Sequence, residues 1–199
     1  MTVRFRAVLA TRNRHKLQEI AALLAEANLP FDLVPIDDVA PGVALVEDEA
    51  TFEANALAKA RQAAAATGMA ALADDSGIDV DALSGAPGVR SARFAGEPSD
   101  DQRNNLKLLD ELRGVSAEMR TARFRCAAAF VDGKRELVRT GSCEGRVLET
   151  PRGSGGFGYD PLFLVEGLGR TMAELSAGEK NRISHRAAAF RALAATLRA

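Results

Sequence analysis

Across residues 120–131 apolar and polar side chains change places at nearly every step: Ala122, Phe124, Cys126, Ala128 and Phe130 alternate with Thr121, Arg123 and Arg125. A period of two is the mark of a strand with one face turned to a core. Asp132-Gly133 follows, a dipeptide suited to a tight hairpin turn, and residues 135–143 run back from it as a partner strand. A chain that holds this hairpin must build a sheet around it, so the remaining segments have to extend that sheet or cover it.

The first half of the chain supplies crossovers. Residues 6–11 (RAVLAT) are a short apolar run ending in a polar turn, after which Leu17, Ile20, Leu23 and Leu24 recur at helical spacing, and residues 31–35 read as a second strand. The clearest helix spans residues 51–67, opened by the capping hydroxyl of Thr51, rich in alanine and stopped by Gly68. Residues 70–73 are expected to form a short strand that delivers Asp74 and Asp75 into the loop behind it. Residues 84–99 read as a long surface loop from their glycine and proline content, followed by a helix over about 100–112 with leucines at 106, 109 and 112. Residues 153–160 (GSGGFGYD) are a glycine-rich loop, and an Ala- and Arg-rich helix starts at about residue 184. Parallel crossovers followed by a hairpin predict an α/β fold: a mixed sheet flanked by helices, in a single domain over residues 1–199 with no repeat or interdomain linker.

Composition narrows the function classes. The 199 residues carry 26 Lys plus Arg against 27 Asp plus Glu, a net charge of -1, so the basic excess of a protein built to grip a nucleic-acid backbone is missing. With 47% hydrophobic and 27% charged residues the chain has the balance of an ordinary globular protein. The longest uncharged stretch, residues 62–73, is 12 residues long, short of the roughly 20 that a spanning helix needs. Arginines at 4, 6, 12 and 14 break any leader-like apolar run, which points to the cytoplasm. Cys126 and Cys143 fit that compartment as reduced, structural residues, and neither stands in a CxxC pattern.

Four clusters could carry chemistry. Thr11-Arg12-Asn13-Arg14-His15-Lys16 lies where a strand passes into a helix, combining a hydroxyl, an amide and an ammonium with the N–H groups of a helix start. It is a candidate anion site, the alternative being a capped helix with exposed basic residues; the glycines of a Walker loop are absent. Asp74-Asp75-Ser76-Gly77 offers adjacent carboxylates that suit Mg2+ together with substrate phosphates, the alternative being an Asp-rich turn. Six carboxylates and no basic residue lie in residues 37–53, mostly a solvated face, with Glu47, Asp48 and Glu49 able to add a metal ligand. In residues 153–160 the glycines admit close approach of a ligand, Phe157 and Tyr159 offer flat faces, and Asp160 is an acceptor, the alternative being a turn with one buried aromatic. Lys180 and Ser184-His185-Arg186 form a basic group near the start of the last helix.

Taken in order, TxNxxK, TFEANALAKA, LADDSG, GAPGVRSARFAG, GGFGYDP and ISHR give the chain a strong resemblance, over nearly its whole length, to the inosine triphosphatase family of pyrophosphatases acting on non-standard purine nucleoside triphosphates. The resemblance implies an elongated mixed sheet, two lobes with an active-site cleft between them, a homodimer and dependence on Mg2+. It implies that Thr11, Asn13 and Lys16 bind the triphosphate with Lys59, that Asp75 is general base and metal ligand, and that Ser76 contacts substrate. Phe157, Gly158, Tyr159 and Asp160 match the segment that holds the base, Lys180, His185 and Arg186 complete the nucleobase pocket, and Glu47 fits the acidic metal position. Val46 stands where some members carry a further glutamate.

The implied reaction is attack of water, oriented by Asp75, on the α-phosphorus of dITP, ITP, XTP or dXTP, giving the monophosphate and pyrophosphate while Lys16 and Lys59 offset the charge on the leaving group. Donors on Arg186 and His185 would accept a 6-oxo purine and reject the amino group of adenine. The alternative from another class is a module that senses purine nucleotides through the same lysines without hydrolysing them.

Overall fold

The computed structural model describes residues 5–29 and 31–198. The elements run β1 (Phe5–Leu9), α1 (Arg14–Glu26), β2 (Phe31–Pro35), α2 (Ile36–Val39), α3 (Phe52–Thr67), β3 (Ala70–Val80), α4 (Asp101–Glu111), β4 (Thr121–Val131), β5 (Glu136–Val147), β6 (Phe163–Val165), α5 (Ala177–Ile183) and α6 (His185–Arg198), with short 3-10 turns between them. The six strands form one sheet in the order β2-β1-β3-β4-β5-β6. β1 pairs in parallel with β2 and with β3, and β5 pairs antiparallel with β6, so the sheet is mixed as expected. Among the described residues no helix is long and apolar enough to cross a membrane.

The chain divides into two compact units, one made of the chain through Asp75, Cys126–Gly141 and the chain from His185 on, the other of Ser76–Arg125 and Ser142–Ser184. Each has its own core. In the first, Ala7, Leu9 and Leu72 of the sheet pack with Ile20, Leu23 and Leu24 of α1 and with Phe190 and Leu193 of α6. In the second, Ile78, Val80, Phe124 and Phe163 pack with Leu108 and Leu112. β4 records the difference. Its first five residues alternate between core and surface, whereas Cys126–Val131 is buried at every position, because the part of the sheet in the first unit has helices to bury both its faces.

Several sequence expectations need correction. The strand expected over residues 70–73 is eleven residues long, so Asp74 and Asp75 lie inside β3 and not in a loop after it. Local signals favoured a turn, but cations from distant elements pair with both carboxylates and the strand continues through them. Residues 84–99 are not a plain surface loop: Gly88–Arg93 is a 3-10 helix, and its Ser91 is buried, accepting a hydrogen bond from the Ile78 N–H at 2.9 Å. On α4 the inward leucine is Leu108, backed by Leu112 just past the helix end, while Leu106 is exposed. β5 runs four residues past the expected 143, and both β6 and α5 escaped notice. The thiols of Cys126 and Cys143 are free and buried.

Candidate active site

β3 sets the geometry. Successive strand residues point to opposite faces, so Asp74 and Asp75 look away from one another. Asp74 turns to the side of α1 and α6, where its Oδ2 lies 3.1 Å from Lys16 Nζ and 3.2 Å from Arg186 Nη2. The Arg186 guanidinium, 1% exposed, also donates to Glu19 Oε2 at 2.6 Å. Burial by itself would raise the Asp74 carboxyl, but Lys16, Arg186 and Lys59 outweigh it and hold the group well below the usual carboxylate range.

Asp75 turns to α3. Its Oδ1 is 3.4 Å from Lys59 Nζ, and the same ammonium donates to Glu47. Lys59 reaches this point from the buried face of α3, next to Ala56, Ala60 and Ala63, whose small side chains let the helix lie close to the sheet. Here the balance is reversed: burial raises the Asp75 carboxyl, Lys59 and Lys16 offset only part of that, and Glu47 and Asp74 push it further up. Lys59 is held charged, since Asp75, Asp74 and Glu47 overcome its own burial.

Two amide side chains of α3 fix the acidic segment that carries Glu47. Gln62 Oε1 accepts from the Val46 N–H at 2.8 Å and its Nε2 donates to the Val46 carbonyl at 3.4 Å. Asn55, 1% exposed, accepts from the Glu49 N–H at 3.0 Å and donates to the Glu49 carbonyl at 3.3 Å. Glu19, Asn55 and Gln62 were missed from sequence. The detectable signal was Asn55 itself, a polar residue one turn before Lys59 on the same helix face.

The segment from Thr11 to Lys16 is the capped helix start with exposed basic residues that stood as the alternative to an anion site. Asn13 is the N-cap of α1, and its Oδ1 accepts from the N–H groups of His15 at 2.9 Å and Lys16 at 3.2 Å. Those donors are therefore already bonded, and what the segment offers an anion is side-chain charge. Arg12, Arg14 and His15 are exposed, with Arg12 tied to Asp37 at 2.9 Å and to the Val43 carbonyl at 2.7 Å.

In the second unit the glycine-rich loop closes on Asp160. Its Oδ2 accepts from the Phe157 N–H at 3.0 Å and from Lys180 Nζ at 2.7 Å, and that ammonium lies 4.8 Å from the centre of the Phe157 ring. Gly156 is required here: its φ is +73°, and a Cβ would fall 2.0 Å from Asp160 Oδ2. Tyr159 does not present its ring to a ligand but is part of the core, with its hydroxyl donating to the Ser91 carbonyl at 2.8 Å. Ser76, half-buried, lies at the start of this unit. In the first unit His185, 5% exposed, opens α6 directly before Arg186. Gly141 admits the helix start, since a Cβ there would meet the His185 carbonyl at 2.4 Å.

A metal ion fits the Asp75 side. Asp75 Oδ2 is buried and accepts no hydrogen bond among the described residues, a costly state for a carboxylate oxygen unless a cation meets it. With Glu47 on the same ammonium, the donors are hard oxygens of the kind Mg2+ takes. No group of three or more such side chains stands ready among the described residues, so remaining positions would fall to water and phosphate.

A buried carboxylate, two lysines and an acidic partner are parts suited to phosphoryl chemistry. The sequence pattern of the Ham1 family matches residues 7–196. The chain belongs to the Ham1 family. It is 53% identical over 186 residues, 93% of this chain and 92% of the relative, to a dITP/XTP pyrophosphatase of Geobacter sulfurreducens. Among solved structures, a HAM1 protein from Coxiella burnetii superposes with a TM-score of 0.87 at 40% identity, over 98% of each chain. The Ham1 protein of Staphylococcus aureus gives 0.86 at 36% identity, over 97% of this chain and 98% of that one. The Ham1 match extends over segments of both compact units.

Proposed function

We propose that the protein hydrolyses non-canonical purine nucleoside triphosphates, dITP or ITP and XTP or dXTP, to the monophosphate and pyrophosphate, and so clears them from the nucleotide pool. The observation that carries this reading is Asp75: a buried carboxylate with one oxygen on Lys59 and the other without a hydrogen bond among the described residues. Relatives named dITP/XTP pyrophosphatase supply the substrate class.

Asp75 orients a water molecule for attack on the α-phosphorus more than it removes a proton, since a carboxylate on a metal ion is a weak base; the new bond joins the water oxygen to phosphorus, the bond to the oxygen bridging to the β-phosphate breaks, and the water proton leaves to solvent. Lys16 and Lys59, with Thr11 and Asn13, bind the triphosphate and offset the charge that grows on the departing pyrophosphate. Asp75 and Glu47 would hold Mg2+, which would supply Lewis-acid polarisation of the phosphate oxygens. For the base, Phe157 gives a stacking face and Asp160 and Lys180 a hydrogen-bonding pair, and His185 is a donor for a 6-oxo purine; Arg186, buried with its guanidinium taken by Asp74 and Glu19, anchors Asp74 rather than meeting the base. Ser76 adds a contact to substrate.

The resemblance supports a homodimer, which sedimentation of the purified protein tests. Activity is tested by pyrophosphate release from dITP, XTP, dATP and dGTP, with Mg2+ and with chelator. Metal-dependent release from dITP and XTP alone is expected. Binding of all four without release would favour the nucleotide-sensing module instead.

A further inference from the structure

α4 reaches the glycine-rich loop with two side chains one turn apart. Asp101 Oδ2 accepts a hydrogen bond from the Gly158 N–H at 2.7 Å, and Asn105 Nδ2 donates to the Gly158 carbonyl at 2.9 Å. Both backbone polar groups of Gly158 are thus taken by one helix, and Gly158 stands between Phe157 and the Tyr159-Asp160 pair. The same helix orders the segment before it: Asn104 accepts from the Ala95 N–H at 2.7 Å and donates to the Ala92 carbonyl at 2.9 Å, close in sequence to the Ser91 carbonyl that receives the Tyr159 hydroxyl.

Capping of α4 does not account for Asp101, nor does helix propensity account for Asn105. Asp100 already caps the helix, accepting from the Arg103 N–H at 2.8 Å, so Asp101 is not needed as the cap. Asparagine is a poor residue inside a helix, and Asn105 leaves its Oδ1 buried with no hydrogen bond among the described residues, a burden that an apolar side chain would not carry. What Asp101 and Asn105 achieve is the placement of Gly158.

We propose that Asp101 and Asn105 are positioning residues for base selection: by holding Gly158 from both sides they keep the Phe157 ring and the Asp160–Lys180 pair in one arrangement for a purine. The inference rests on the base-holding role given to this loop under the proposed function. Neither side chain touches substrate. Freeing the loop therefore weakens and blurs recognition of the base, while the step carried by Asp75, Lys16 and Lys59 keeps its rate once substrate is bound.

The test compares Asp101→Ala, Asn105→Ala and Asp101→Asn with the wild type on dITP and dGTP. Loss of one hydrogen bond predicts a KM for dITP about five-fold higher in each alanine variant, kcat within about two-fold, and a smaller dITP over dGTP ratio of kcat/KM. Asp101→Asn keeps an acceptor of the same length for the Gly158 N–H and should return KM to within about two-fold of the wild type. A fall in kcat at unchanged KM, or lowered thermal stability with unchanged base selectivity, would overturn the inference. Should the wild type bind dITP and release no pyrophosphate, it is the proposed function that fails; calorimetric Kd values of the same variants for dITP and dGTP then decide, and an unaltered affinity ratio overturns the positioning role.

Discussion

The two faces of β3 carry the same chemical group in opposite states. On the α1 and α6 side, Asp74 is closed off: no part of its side chain meets solvent, two cations lie on one of its oxygens, and its proton affinity is held far down. On the α3 side, Asp75 keeps one buried oxygen without a hydrogen bond, shares a single ammonium with Glu47, and has its proton affinity raised. Adjacent residues on one strand thus become an anchor and the carboxylate to which the proposed function gives catalysis, and the difference comes from which helix each one faces. A strand is well suited to this, because its alternation places like charges on opposite sides of the sheet.

The comparison breaks first on activity. Asp75→Asn should lower kcat for pyrophosphate release about 1,000-fold, the scale of losing a group that positions the attacking water, while leaving nucleotide binding measurable by calorimetry. Near-normal turnover would remove Asp75 from its role. On the other face the expected loss is in folding. Asp74→Asn leaves Lys16 and Arg186 facing a neutral amide and should cost about 3–5 kcal/mol in urea unfolding at pH 7. The sign with pH follows from the lowered proton affinity of Asp74: its contribution is full above the unfolded value near 4 and is lost as pH falls below it, so the variant should show a flatter acid limb than the wild type. The smallest effect belongs to a pair outside either cluster. Arg61 and Glu136 form an exposed ion pair between α3 and β5, and Arg61→Ala should change stability by less than about 1 kcal/mol in the same assay.

How much of this could be read from sequence depended on how local the signal was. The helix capped by Thr51 and stopped by Gly68, the strand over residues 31–35 and the hairpin at Asp132-Gly133 are each determined within a few residues, and the structure reproduces them. The motifs also placed Lys59, Asp75 and Asp160 among the residues of interest. β3 was cut short because Asp74-Asp75-Ser76-Gly77 looks like a turn when its partners are unknown, and Arg186 lies 112 residues away from Asp74. Asp101 and Asn105 were missed for a related reason: on a helix with exposed polar neighbours nothing in the local pattern marks a side chain whose partner is a loop 53 residues further on. Tyr159 was open in sequence between a stacking face and the buried aromatic of a turn, and the fold uses it as core.

The most direct test is a single comparison of urea midpoints at pH 7 for Asp74→Asn and Asp75→Asn against the wild type. A clearly lower midpoint is predicted for Asp74→Asn, which loses a charge held by Lys16 and Arg186, and a smaller displacement for Asp75→Asn, where relief of a buried charge and loss of the Lys59 pairing oppose one another. A loss at Asp75→Asn as large as that at Asp74→Asn would contradict the division between the two carboxylates.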